Sequence, residues 1–144
     1  MSLTSAIREN VKAALKEDMG SGDLTARLIP ARARAKASII TRETAVLCGT
    51  QWFAACFKKL DSRAKIRWRA KDGEEIGAGQ TLCEIEGQAR ALLSAERPAL
   101  NFLQTLSATA TLTRHFVLAV RGTQAVIVDT RNTLAGLRRA QKYA

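Results

Sequence analysis

The stretch AVIVDTRNTLAGLRRAQKYA, residues 125–144, decides how the rest of this sequence is read. Ala125, Val126, Ile127 and Val128 are consecutive apolar residues, mostly β-branched, and predict a buried strand. Residues 129–133 predict a polar, charged turn, and residues 134–144 a helix. In α/β folds, binding residues gather at the carboxyl end of such a strand. A strand apolar on both faces expects cover on both sides and parallel neighbours. No second strand follows within the 144 residues, so the segment reads as one βα unit whose companions lie outside this polypeptide.

Immediately upstream, SAERPALNFLQTLSATATLTRHFVLAV (94–120) predicts a long helix, with Pro98 confined to its first turn because a proline deeper inside loses a backbone donor. Leu100, Leu103, Ala110, Val117 and Val120 supply its buried stripe. Before it, KIRWRAKDGEEIGAGQTLCEIEG (65–87) reads as strand, Asp72-Gly73 turn, short strand, Gly77/Gly79 turn and strand, the Asp-Gly pair marking a hairpin. Period-two alternation gives residues 65–71 one apolar face (Ile66, Trp68, Ala70) and one cationic face (Lys65, Arg67, Arg69, Lys71). Residues 33–49 predict one or two strands, and Gly49 turns the chain into a helix of about ten residues. The first helix covers 4–18, with Ile7, Val11, Ala14 and Leu15 at helical spacing, Thr4 or Ser5 as N-cap and Gly20 at its end. The segment GSGDLT (20–25) lacks the Lys-Ser/Thr of a P-loop.

Composition bounds the function. The 144 residues suffice for about one domain, and 47% hydrophobic residues provide a core. No apolar run approaches the ~18–20 residues of a membrane span, and the amino terminus has no signal-peptide core, so a cytoplasmic protein is expected. Cys48, Cys56 and Cys83 have no C-x-x-C spacing and are expected to be inert core thiols, not metal ligands. A net charge of +10 favours anionic partners: nucleic acid, an acidic surface or small polyanions. Aromatic residues at 5% argue against base stacking and so against nucleic acid.

Several residues carry candidate chemistry. Arg97, just ahead of Pro98, is expected beside the free N–H groups of a helix start, a place for carboxylate or phosphate; the alternative is a local pair with Glu96. Thr130, Arg131 and Asn132 follow the closing strand and combine hydroxyl, guanidinium and amide for a dicarboxylate. Asp129 reads as a strand-end cap and His115 as a helix-face residue. Arg138, Arg139 and Lys142 are expected to be exposed near a helix carboxyl end.

Five stretches occur in an order that resembles the amino-terminal half of nicotinate-nucleotide pyrophosphorylases, or quinolinate phosphoribosyltransferases. They are EDMGSGDLT (17–25), AVLCG (45–49), DGEEIGAGQTL (72–82), AERPALNFLQTLSATAT (95–111) and DTRNTLAGLRRAQKYA (129–144). The resemblance implies an α+β fold: an amino-terminal open-faced β-sandwich domain with helices (1–115), followed by the first βα unit of an incomplete α/β barrel (116–144). It implies transfer of a phosphoribosyl group from phosphoribosyl pyrophosphate to quinolinate, releasing pyrophosphate and carbon dioxide and yielding nicotinate mononucleotide for NAD biosynthesis. Magnesium accompanies the pyrophosphate. The resemblance further implies a homodimer or higher oligomer, or a partner chain carrying the remaining barrel, with Arg97 reaching into a neighbouring subunit and Arg131 binding a substrate carboxylate. The catalytic groups are expected beyond residue 144, so the 144 residues alone are expected to be inactive. Three positions depart from the family pattern: Asn132 replaces lysine, Ala135 proline and Ala108 glycine. Three other readings compete: a relative with another substrate, including molybdenum-transport-associated members; a non-catalytic carrier module, with Lys71 beside the Asp72-Gly73 turn; and a nucleic-acid binder.

Overall fold

The computed structural model describes residues 2–20, 22 and 24–144; Ser21 and Asp23 of the 17–25 motif lie outside them. The elements in chain order are α1 (Leu3–Met19), α2 (Leu24–Arg27), β1 (Arg34–Ile40), β2 (Ala45–Val46) and α3 (Thr50–Leu60). Then follow β3 (Lys65–Trp68), β4 (Glu75–Ile76), β5 (Thr81–Gln88), α4 (Ala89–Ala119) and α5 (Arg138–Tyr143). The class is α+β, as the sequence indicates: an antiparallel sheet of order β1-β5-β3, a two-stranded sheet of β2 and β4, and helices packed on them.

Register explains the alternation in 65–71. Ile66 lies opposite Ile85 and Trp68 opposite Cys83, while Ala35, Ala37 and Ile39 meet Gly87, Ile85 and Cys83 from the other side. These residues share one face, on which Cys83 and Ile85 are buried, and the fully buried Trp52, Phe53 and Cys56 of α3 and Ala95 and Ala99 of α4 complete the core against it. Phe53 stacks obliquely on Phe57 at 5.0 Å and edge-on to Trp68 at 5.2 Å. On the other face Glu86 sits between Lys36 and Lys65, and Glu84 between Ser38 and Arg67. Arg69 reaches Glu84 at 2.9 Å and Arg34 reaches Glu86 at 3.6 Å. The cationic strand therefore faces carboxylates from its own sheet, each exposed pair contributing under ~1 kcal/mol.

The Asp-Gly turn forms, yet it does not make the expected hairpin. β3 pairs with β5, and β4 pairs with β2. The edge of β3 is occupied by β5, continued by Arg69 N–H donating to Leu82 O at 2.7 Å. Gly73 N–H instead donates to Leu47 O at 2.7 Å, which carries the turn across to the start of α3. There Asp72 accepts from Gly49 N–H at 3.2 Å and Thr50 N–H at 3.1 Å. Gly49 has φ +97°, and an added Cβ would lie 2.9 Å from Leu106 Cδ1, so glycine is required and the cap comes from a distant carboxylate.

Two helix starts differ from expectation. The N-cap of α1 is Ser2, whose hydroxyl accepts from Ser5 N–H at 3.2 Å. Helix α4 begins five residues before Ser94, leaving Pro98 buried in its interior. Tertiary contacts fix that early start. Gln88 N–H donates to Asp61 Oδ2 at 2.9 Å and Ala89 N–H to Ala33 O at 2.9 Å, and Ala91, Leu92 and Ala95 continue the core stripe. Leu103 and Ala110 are buried as expected, Leu100 and Val120 only partly, and Val117 is 46% exposed. The stripe runs through Ala99, Phe102 and Leu106 instead. Further along, Thr111 Oγ1 accepts from Val46 N–H at 2.9 Å and Ser107 Oγ from Cys48 N–H at 3.0 Å, so helix hydroxyls complete the bonding of the AVLCG segment.

The expected strand 125–128 does not form. Val126 and Val128 are nearly four-fifths exposed, because no neighbouring strand is present to accept their backbone bonds or cover their side chains. The following helix is also shorter than expected, starting at Arg138.

Candidate functional site

Helix α5 and the turn before it carry a cluster of cations. Arg131, Arg138, Arg139 and Lys142, with Tyr143 and Leu3, line an open cavity of about 600 Å³. Helical spacing places Arg138, Arg139 and Lys142 along one face of α5, and Ala140, fully buried, turns the opposite side inward. One carboxylate approaches: Asp129 Oδ2 accepts from Lys142 Nζ at 2.6 Å. Asp129 is thus an ion-pair partner of the closing helix and not the strand-end cap expected from sequence. Arg138 and Arg139 open α5, contrary to the expected carboxyl-terminal placement; Lys142 is in its last turn. The basin suits an anion bearing two or more charges, which several guanidinium and ammonium donors can bind together.

The sequence-derived site residues are only partly brought together. Arg131 lines the basin. Thr130 Oγ1 accepts from Asn132 N–H at 3.1 Å, a local turn that orders the segment, and both residues are exposed. Arg97 lies well inside α4, so the free N–H groups of a helix start are not beside it. It donates to Asp18 Oδ1 at 3.0 Å instead of pairing with Glu96, and its side chain remains 76% exposed. Ala108 is exposed in a wide groove between the β1–β2 loop and α4, so its methyl meets no tight contact within the chain. His115, on the helix face as expected, lines the same groove. The three cysteines are buried, as expected of core thiols, and chiefly burial pushes them up to about 12.

Sequence reasoning missed the role of Asp72 and Tyr143. The Tyr143 hydroxyl donates to Asp72 Oδ2 at 2.8 Å, and its ring lies 5.4 Å from that of Trp52. Burial, followed by the Asp72 carboxylate, pushes the phenol up to about 12. Tyr143 is the only tyrosine in a chain with two tryptophans, a composition that does not reveal such a long-range pair.

Comparison with known proteins matches this architecture. The family model for "Quinolinate phosphoribosyl transferase, N-terminal domain" covers residues 23–107, and that for its C-terminal domain covers 109–144. The chain is 38% identical over 128 residues to a probable nicotinate-nucleotide pyrophosphorylase (carboxylating) of Bacillus subtilis, covering 89% of this chain and 44% of that protein. It is 38% identical over 143 residues to the nicotinate-nucleotide pyrophosphorylase (carboxylating) of Mycobacterium leprae, covering 96% of this chain and 50% of that protein. The solved nicotinate-nucleotide pyrophosphorylase from Francisella tularensis superposes with a TM-score of 0.93 at 36% identity, over 99% of this chain and 51% of that one. The chain therefore spans about half the length of the curated relatives it matches. With both family models matched in sequence order and the fold reproduced over nearly its whole length, the chain belongs to the quinolinate phosphoribosyl transferase family.

Proposed function

We propose that these residues form the amino-terminal body and first substrate-binding turn of an enzyme that converts quinolinate and phosphoribosyl pyrophosphate to nicotinate mononucleotide, pyrophosphate and carbon dioxide. The observation that carries this reading is Arg131 opening onto a basin with three further cations. In this reading Arg131 binds a carboxylate of quinolinate, Thr130 and Asn132 shape the turn around it, and Arg97 acts on a neighbouring copy. The exposure of Arg97, and its position outside its own chain's basin, support that last assignment. A homodimer follows from it, and three unpaired, buried thiols favour the reducing cytoplasm. No described helix is long and apolar enough to cross a membrane.

Magnesium would enter on the phosphates of phosphoribosyl pyrophosphate. Among the described residues no group of three or more His, Cys, Asp or Glu side chains offers a metal site, so these residues do not fit magnesium as its holders. The transfer passes through a cation-like ribosyl centre that carboxylates stabilise. The basin's Asp129 is already held by Lys142, so the 144 residues are expected to bind substrate without turning it over.

Calorimetric titration with quinolinate tests the reading. Arg131→Gln is expected to weaken binding about tenfold or more, the loss of a charge-assisted contact. Asn132→Lys is expected to tighten it several-fold by restoring the ammonium usual at that position. Binding indifferent to Arg131, or steady production of nicotinate mononucleotide by this chain alone, contradicts the corresponding part. Asn132 also favours a second reading, a family relative with another substrate; tighter binding of a different anionic ring compound than of quinolinate supports it.

A further inference from the structure

We propose that Asp18 is the positioning residue of Arg97: from the end of α1 it holds one nitrogen of the guanidinium and leaves the opposite edge open for a carboxylate bound to a neighbouring copy. Asp18 takes this role only on the reading of Arg97 as a group acting on that neighbour, and it comes from a different element. By local rules a carboxylate does not belong where Asp18 stands. Ile7, Val11 and Leu15 form the buried stripe of α1, and Asp18, three residues beyond Leu15, continues it where an apolar side chain is called for. It also lies in the last helical turn, whose unpaired carbonyls disfavour negative charge. Departures from local rules of this kind gather at functional sites.

One contact offsets the misplacement. Arg97 Nη1 donates to Asp18 Oδ1 at 3.0 Å, the carboxylate side chain 25% exposed and the arginine side chain 76% exposed. An ion pair so open on one side contributes little to stability, and α1 is already fixed through Ala6, Ile7, Val11 and Leu15. Holding two helices together therefore does not account for the pair. Its geometry has another consequence. Among the described residues Arg97 has no partner besides Asp18, so Nε and Nη2 remain free. Their N–H groups run parallel along one edge of the guanidinium and match the two oxygens of a carboxylate. A half-buried acceptor on a packed helix thus fixes a long side chain before its ligand arrives, which lowers the ordering cost of binding. The same carboxylate subtracts attraction for an anion, so aiming and masking give opposite changes in affinity when it is removed.

Calorimetric titration of the 144-residue chain with quinolinate separates these effects. Arg97→Gln is expected to weaken binding about tenfold. Asp18→Leu removes the acceptor and completes the apolar stripe of α1, so it is expected to keep or raise the melting temperature while weakening binding about two- to tenfold. In the Arg97→Gln background it is expected to have no further effect on affinity. Asp18→Asn keeps an acceptor oxygen in place and is expected to bind within about twofold of the wild type. If leucine disrupts α1, Asp18→Ala is read by the same criteria.

Unchanged or tighter binding in Asp18→Leu, with Arg97→Gln still weakened, overturns the positioning role and leaves Arg97 in its assigned place. An equal loss from Asp18→Leu in both backgrounds overturns it too, since Asp18 then acts by another route, as does Asp18→Asn binding as weakly as Asp18→Leu. Binding indifferent to Arg97→Gln but weakened by Arg131→Gln removes the reading of Arg97, and the role of Asp18 with it, while the Arg131 turn stands.

Discussion

Asp61, 5% exposed, accepts from Arg63 N–H at 3.0 Å and from Gln88 N–H at 2.9 Å. The Gln88 bond, aided by that from Arg63 and by nearby arginine charge, holds its carboxyl below the usual range against the opposing effect of burial. A carboxyl depressed in the folded state contributes stability that is fully present above its unfolded value, about 3.9, and is lost as pH falls through the lower folded value. Denaturant unfolding followed downward from about pH 6 is therefore expected to show a fall in stability at and below the ordinary carboxylate range that is shallower in Asp61→Asn. Asp61→Ala is expected to cost about 1–3 kcal/mol at neutral pH by leaving the Gln88 and Arg63 N–H groups unpaired. Gly87 belongs to the same device, since an added Cβ would stand 2.9 Å from Asp61 Oδ2. The thiols give a second residue-scale prediction. With Cys48, Cys56 and Cys83 pushed up to about 12, an aromatic disulfide reagent at neutral pH is expected to label none of them until denaturant is added. That the cysteines lie in the core was legible from their apolar neighbours and spacing. Asp61 was not legible, because its partner is 27 residues away.

Among the elements, α3 is stabilised from outside itself. Its N-cap residue, Gly49, has no side chain to offer, and Asp72 supplies the carboxylate that a Ser or Asp would otherwise bring. Asp72→Ala is expected to cost about 1–2 kcal/mol of stability in denaturant unfolding. Gly49→Ala is expected to cost at least as much, through its left-handed backbone and its approach to Leu106. The apolar periodicity of α1 and α3 was readable from sequence because each buries a single stripe. α4 was misplaced at its start because Pro98 is a strong local signal, and a local signal yields where surrounding contacts outweigh it. Likewise the Asp72-Gly73 pair fixed a turn correctly, but not which strands would pair across it, since pairing depends on the competition for each free edge.

For the whole molecule the closing segment matters most. Leu112, Phe116, Val117 and Leu118 at the end of α4, with Val126 and Val128 beyond it, are 44–79% exposed, and exposed apolar side chains of this size favour association where they gather. We expect concentration-dependent association in sedimentation velocity, and weaker association after Phe116→Glu or Val126→Asp; a strict monomer at every concentration counts against it.

The sequence by itself determined the α+β class, the family, the cationic turn at Arg131 and the apolar, unpartnered character of 125–128. Each of these follows from local order, periodicity or a short motif. Tertiary structure alone decided which edge each strand joined, where α4 began, that Arg97 meets Asp18, and that α5 stands on Asp72 and Trp52. Those outcomes depend on groups far apart in the chain, whose meeting is set by how the whole core packs and not by the residues beside them.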